Sequence, residues 1–309
     1  MANLFNDITK GLLDTITDVS NIFKGAYSIR ENGSCASMKS TEHIIITPKK
    51  DKPGIDINVM PGTKGETVSI PACVSKSDVD DLVYNDFFIG DNCDVLIVAG
   101  CGVHTDGDGS SSHNGIHRFF VGKNSHVRYE EKHVGTGTGT GDRNIDPVTE
   151  IHLEENSLLE MDTSQISGVT KSTRKTIATA AAGAKLVIKE RILTDGNQVA
   201  DTFFEVELNG EGSGADIISH SVAKDNSRQN YVSTIIGNAP CTGHSECDAI
   251  IADNAIVDAS PRLLARNNDA ALIHEAAIGK IAGEQILKLR TLGLTEEEAE
   301  AKIIEGFLA

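Results

Sequence analysis

Tryptophan is absent from this chain of 309 residues, and aromatic side chains make up only 4% of it. A core without large rings must be filled by Ile, Val, Leu and Ala, which suits thin, regular layers better than a bulky globular interior. Basic residues are also scarce, 28 Lys and Arg against 45 Asp and Glu, for a formal charge of -17. That charge repels nucleic acid and anionic membrane surfaces at long range; it favours solubility and suits a basic partner or a cationic cargo. No apolar run approaches membrane-spanning length, and Met1-Ala2-Asn3-Leu4-Phe5-Asn6-Asp7 lacks the basic and apolar segments of a secretory leader. A cytoplasmic location is therefore expected. The six cysteines are then expected as reduced thiols, and since none forms a C-x-x-C pair, a zinc knuckle or thioredoxin-like motif is disfavoured. No Gly-x-Ser-x-Gly elbow or Cys-His-Asn protease signature occurs. The run Gly135-Thr136-Gly137-Thr138-Gly139-Thr140-Gly141 continues with Asp142-Arg143, not the Gly-Lys-Ser/Thr of a phosphate cradle, and reads as a flexible turn.

Against these absences stands a strong pattern. Leu4, Ile8, Leu12, Ile16, Val19 and Phe23 fall at helical spacing and predict one amphipathic helix over residues 4–23, interrupted only by Gly11. From Thr41 to about Val257 the chain turns to short apolar runs bounded by Gly, Asn and Asp, the signal of strands. Similar lead-ins recur at Gly90-Asp91-Asn92, Gly122-Lys123-Asn124, Glu155-Asn156, Gly183-Ala184 and Gly214-Ala215, roughly 28 to 33 residues apart. That period suits a β-solenoid in which each coil covers the open edge of the last, whereas a β-sandwich would also explain alternation and turns. The long recurrence and the missing aromatics favour the solenoid.

Three further groups carry candidate chemistry. Cys101, His104, Asp106 and Asp108, followed by His113 and His117, are dense enough to bind a divalent metal. The i, i+4 histidines would share one face of a helix, although the Gly and Ser around them read as a solvated loop. Glu130-Glu131 and Glu154-Glu155 are paired carboxylates of the type used in glycoside hydrolysis, a chemistry that β-helices host, but the chain has few rings for a sugar platform. Near the C-terminus, Ala276 to Leu289 predicts an amphipathic helix stopped by Gly293. Thr295-Glu296-Glu297-Glu298 is a capping-box signature for a second helix ended by Gly306. Two such helices cannot fold alone and must pack on the solenoid or a partner. Ile278, Ile281, Glu284, Gln285 and Leu287 are the expected docking residues.

The motif of greatest interest is Gly243-His244-Ser245-Glu246-Cys247-Asp248 followed by His274-Glu275-Ala276-Ala277, Glu284-Gln285 and Gly306-Phe307. It combines a soft sulfur donor with a nitrogen and an oxygen donor, a set suited to iron. Over about the last seventy residues it resembles the SufB/SufD family of iron-sulfur cluster assembly scaffolds. The resemblance implies a right-handed parallel β-helix core, which the strand pattern places over 41–265, between an N-terminal helical segment at 1–40, short beside the large leading domain of SufB-type chains, and a helical docking unit at 266–309. It also implies an iron-sulfur cluster held by Cys247, His274 and Glu275; Cys241, six residues before Cys247, and Cys101 and His104 of the upstream Asp/His-rich group are auxiliary candidates read from the residues alone. A SufC-type ABC ATPase would drive the scaffold, a sulfur donor would load it and acceptor apoproteins would unload it. Side-by-side joining of two β-helices, here as a homodimer, would bring two ligand sets together. The cysteine makes the chain look SufB-like, although Ile273 stands where SufB-type chains often have another Glu, and the missing nucleotide-hydrolysis and hydrolase motifs make it non-catalytic in expectation. The other expectations are a SufD-like subunit that holds no cluster and a carbohydrate-active β-helix enzyme.

Overall fold

The computed structural model describes residues 5–17 and 19–309, and the expected position of Leu4 in a helix lies outside them. The chain winds into a parallel β-solenoid of about eight turns. One sheet runs in the order β2 (Ser34–Lys39), β1 (Ala26–Glu31), β5 (Lys64–Val74), β7 (Asp94–His104), β9 (His126–Thr136), β12 (Leu158–Ser167), β14 (Lys185–Thr194), β16 (Gly214–Ala223), β18 (Cys241–Ile251) and β20 (Ala270–Gly279). The second runs β3 (Ile44–Pro48), β4 (Gly54–Val59), β6 (Asp80–Ile89), β8 (Ser111–Val121), the short β10 (Arg143–Ile145) with β11 (Val148–Leu153), then β13 (Lys171–Ala180), β15 (Val199–Leu208), β17 (Arg228–Gly237) and β19 (Ile256–Ala265).

The predicted recurrence is a recurrence of turns. Asn92, Asn124, Asn156, Gly183 and Gly212 all have positive φ, between 55° and 70°, just before β7, β9, β12, β14 and β16. Gly and, less readily, Asn and Asp accept that left-handed backbone, and Asp225 and Asp253, with φ of 57° and 56°, make the corresponding turns before β17 and β19. Strand pairing begins at Ala26 and ends at Gly279, so β1, β2 and β20 lie beyond the 41–265 span expected for strands. At the first end, β2 and β3 pair antiparallel with β1 and β4 and are the edge strands of the two sheets. At the other end β19 and β20 are edge strands.

Inside, alternate side chains stack in ladders. Val95, Ile97, Val127, Leu159, Leu186, Ile188 and Ile217 are fully buried or nearly so, each contributing about 1.5–3 kcal/mol by its removal from water. Phe87 stacks on Phe119 with ring centroids 4.4 Å apart.

The N-terminal helix is two pieces, α1 (Asp7–Ile16) and α2 (Val19–Ile22). Gly11 does not interrupt α1; the break falls at Thr17, whose backbone is extended and whose hydroxyl donates to the Leu13 carbonyl at 2.8 Å. Leu12, Leu13 and Ile16 of α1 are buried against β7, where Gly100 and Gly102 make a shelf. A Cβ at Gly100 would lie 2.8 Å from Ile16 Cβ, and one at Gly102 2.8 Å from Leu12 Cδ2.

The predicted helix at 276–289 is shorter than expected. Ala276 to Gly279 complete β20, and the helix is α3 (Gly283–Arg290), because in-register pairing with β18 claims the first residues for the sheet. Ile278 is therefore a strand residue and Ile281 lies in the connection, while Glu284, Gln285 and Leu287 are on α3. Thr295 caps α4 (Glu296–Phe307) with the expected reciprocal capping box to Glu298. This helix passes through Gly306 and ends one residue later. It is held to the solenoid by an ion pair from Lys224 to Glu300 at 2.9 Å and by Phe307 stacked on His220 of β16 at 5.1 Å.

Candidate functional site

Strand alternation decides which motif residues can meet. On β18, Cys241, Gly243, Ser245, Cys247 and Ala249 face the lumen, and His244, Glu246 and Asp248 face outward. On β20, Ser245 is opposite His274, Glu246 opposite Glu275 and Cys247 opposite Ala276. His274 thus shares the inner face with Cys247, one strand over and two residues back, their Cα atoms about 8 Å apart by strand spacings. Glu275 points to the opposite face. His274 and Glu275 do not begin a helix, and the ligand atoms of Cys247, His274 and Glu275 do not converge within one chain.

Cys247 is only 3% exposed, and burial, reinforced by the nearby Glu190 carboxylate, pushes its thiol up to about 12. His274 is exposed because β20 has no neighbour on its far side. Glu275 accepts from His244 Nε2 at 3.2 Å, while His244 Nδ1 pairs with Asp216 at 2.8 Å; that hydrogen bond to Asp216 leads in raising the imidazole pKa.

The auxiliary candidates lie elsewhere. Cys241 is six residues back on β18, about 20 Å along an extended strand, where burial raises its thiol. Cys101 is five strands away on β7, about 24 Å at the strand spacing, and burial raises its thiol well above the ordinary range. His104 closes β7 and contacts Thr136 and Asp106, both at 2.9 Å.

His113 and His117 correct the loop expectation: both are on β8, where the i, i+4 spacing also puts side chains on one face, and both are buried in the lumen. His113 Nδ1 lies 2.9 Å from Asp81. Burial opposes ionisation of that carboxylate, but His113 and Arg30 outweigh it and hold the Asp81 pKa well below its usual range. His117 contacts the Tyr129 hydroxyl at 3.0 Å, and burial pushes its pKa down to about 4. The glycine run is not a flexible turn. Gly139 and Gly141 donate to the Thr105 and Gly107 carbonyls at 3.0 and 3.1 Å, laying one loop on the loop of the preceding coil. The paired carboxylates separate as well, since Glu131 points inward and Glu130 outward, and Glu154-Glu155 sit past the end of β11 in a turn.

Glu131 belongs to a buried polar column that sequence reasoning missed. Register aligns Ala99, Glu131, Thr163, Glu190, Ser219, Cys247 and Ala276 across successive coils of the first sheet. Arg174, from the facing β13, bridges Glu131 at 2.8 Å and Glu190 at 3.2 Å, and Ser219 donates to Glu190 at 3.0 Å. Burial opposes ionisation of Glu131, yet His133 and Arg174 more than offset it and keep the carboxyl well below its usual range; for Glu190 burial prevails and the pKa rises. Only the coil offset of these residues hinted at the column. On the outer face a second group emerged, in which ligand atoms of His220, Glu246 and Asp248 all lie within 4.8 Å of one another.

Matches to known proteins extend over most of the chain. A family described as "SUF system FeS cluster assembly, SufBD core domain" matches residues 87–307. The chain is 31% identical over 262 residues to an iron-sulfur cluster assembly SufBD family protein of Archaeoglobus fulgidus, covering 84% of this chain and 69% of that one. It is 29% identical to a SufBD family protein of Methanothermobacter thermautotrophicus, over 83% of this chain and 62% of the relative. A SufBD family protein of Methanocaldococcus jannaschii is 26% identical over 92% of this chain and 90% of its own length. The chain thus spans about two thirds of the length of several relatives and nearly all of another.

Proposed function

This chain belongs to the SufBD family of iron-sulfur cluster assembly proteins, and from that premise we propose that it is a scaffold on which a cluster is built at Cys247. The observation that carries the reading is the position of the thiol, on the strand next to the open edge and on the same face as His274. A thiol held at about 12 is almost wholly protonated at neutral pH and is a poor ligand or nucleophile. Exposing it to water removes the main cause of that shift, so opening of the last coil converts an inert cysteine into a sulfur acceptor and iron ligand.

One thiol and one imidazole cannot fill the coordination of a cluster. A second copy meeting the first at its β19–β20 end supplies another Cys247 and another His274, with Glu275 entering from the outer face if β20 twists on opening. The partly buried Ala259, Leu263, Ala270 and Leu272 of this end and the exposed Ile273 and Ile278 give such a contact apolar area. A SufC-type ATPase docked on α3 around Glu284, Gln285 and Leu287, beside Ile281 and Ile278, would supply the work of opening. A sulfur donor would load the thiol and acceptor apoproteins would take the finished cluster. This assigns the chain no turnover of its own and a cytoplasmic setting, where the cluster and the reduced thiols are protected.

Anaerobic reconstitution with iron and sulfide tests the site. Cys247→Ser should abolish the iron-sulfur absorption while leaving the fold unchanged by circular dichroism; undiminished cluster content would remove Cys247 from the site. Co-purification with a SufC-type ATPase without any cluster in the native chain would favour the SufD-like subunit instead.

A further inference from the structure

Outside the thiol site, the outer face of the first sheet carries a ligand set of a different kind. His220 of β16 lies directly opposite Asp248 of β18, and Glu246 follows two residues back on the same outward face. Their ligand atoms lie within 4.8 Å of one another, and His220 Nε2 is 3.4 Å from Glu246 Oε1. All three side chains are half-buried. Phe307 of α4 stacks on the imidazole, and Asp248 Oδ1 accepts from the Ala277 backbone at 3.1 Å, so the ring and one carboxylate are already oriented. Neighbouring Asp216, His244 and Glu275 pair among themselves.

We propose that His220, Glu246 and Asp248 form a binding site for a divalent first-row cation, Fe2+ in the setting of cluster assembly. One imidazole and two carboxylates are a hard-to-borderline donor set that suits Fe2+ and Mn2+ and is unsuited to a sulfide-bridged cluster. Two carboxylates neutralise the dication, and three protein donors on a sheet leave positions open for water or an incoming ligand. Because β18 alternates, the two carboxylates are the immediate neighbours of Cys247 in sequence. Iron would be held on one side of a strand whose other side carries the thiol. The assignment of iron as cargo rests on the scaffold reading, whereas the cation site itself rests on the geometry.

Mn2+ is the discriminating probe, because it prefers oxygen and imidazole over thiolate and its free aquo ion gives a six-line paramagnetic resonance spectrum that fades on binding. Titration of the full chain should show one bound Mn2+, displaced by Fe2+ under anaerobic conditions. Glu246→Gln with Asp248→Asn should weaken binding by roughly tenfold or more, the lower bound for losing even an outer-shell partner. The Asn oxygen can still accept from Ala277, so the fold is preserved. His220→Gln should weaken it similarly, and Cys247→Ser should bind Mn2+ as the native chain does. Unchanged binding in the double variant and in His220→Gln, or loss of binding in Cys247→Ser, would overturn the site. If Cys247→Ser leaves reconstituted cluster content intact, the scaffold reading falls while the Mn2+ titration still decides this one.

Discussion

A residue in this chain is governed less by its type than by which side of its strand it faces. Glu130 and Glu131 are chemically identical neighbours, yet one is solvated and the other is locked to Arg174 and His133 in the lumen. Such burial has a pH signature. His117 is kept neutral by burial, its pKa lowered to about 4 from an unfolded value near 6.5, and burial lowers that of His133 too. Between these pH values the unfolded chain binds a proton that the folded chain refuses, so stability is lost as pH falls from about 6.5 towards 4. Integrated over that window, His117 alone accounts for a loss on the order of 3 kcal/mol. Below it, Glu131 adds to the loss, because its folded pKa lies below its unfolded value and protonation is then coupled to unfolding. Urea unfolding at pH 7, 5.5 and 4.5 should give steadily falling midpoints, and His117→Asn should flatten the upper part of the slope. A midpoint independent of pH in this range would contradict a neutral buried His117.

At the scale of elements, turns and helix caps were legible and contacts between loops were not. The Asn and Gly turn marks, the Thr295 capping box and the amphipathic stripe of α1 follow from local rules that need no tertiary partner. The stacked glycine loops do, because their reason is the backbone of the previous coil. A Cβ at Gly139 would lie 2.2 Å from the Gly107 carbonyl oxygen. Gly139→Ala should therefore cost about 1–3 kcal/mol in urea unfolding, as overpacking does elsewhere. Gly11→Ala serves as the opposite case, since nothing lies within 4 Å of its Cβ position and it is inside α1, and it should stabilise by about 0.5–1 kcal/mol. Equal effects of the two substitutions would mean that the loops are not packed as described.

For the whole molecule the asymmetry of the two ends matters most. At one end the edges are the short antiparallel β2 and β3, of six and five residues and carrying Lys39 and Pro48, whereas at the other they are the ten-residue β19 and β20, with Ile273 59% exposed. Such edges template pairing with another chain unless blocked, and an inserted Lys is a usual block. Light scattering should give a mass twice 32.9 kDa for the native chain, and Ile273→Lys should shift it towards the single-chain value. A native chain that stays monomeric at tens of micromolar would remove the self-pairing end. What the sequence by itself determined was the period of the coils, the alternation of apolar residues and the presence of a sulfur, a nitrogen and an oxygen donor near the C-terminus, because turn conformation and strand periodicity are local. Only the tertiary structure decided which donors meet. Register placed Cys247 inside with His274, turned Glu275 away, and gathered His220, Glu246 and Asp248 outside, since neighbours across coils are fixed by backbone pairing between residues about 28 positions apart.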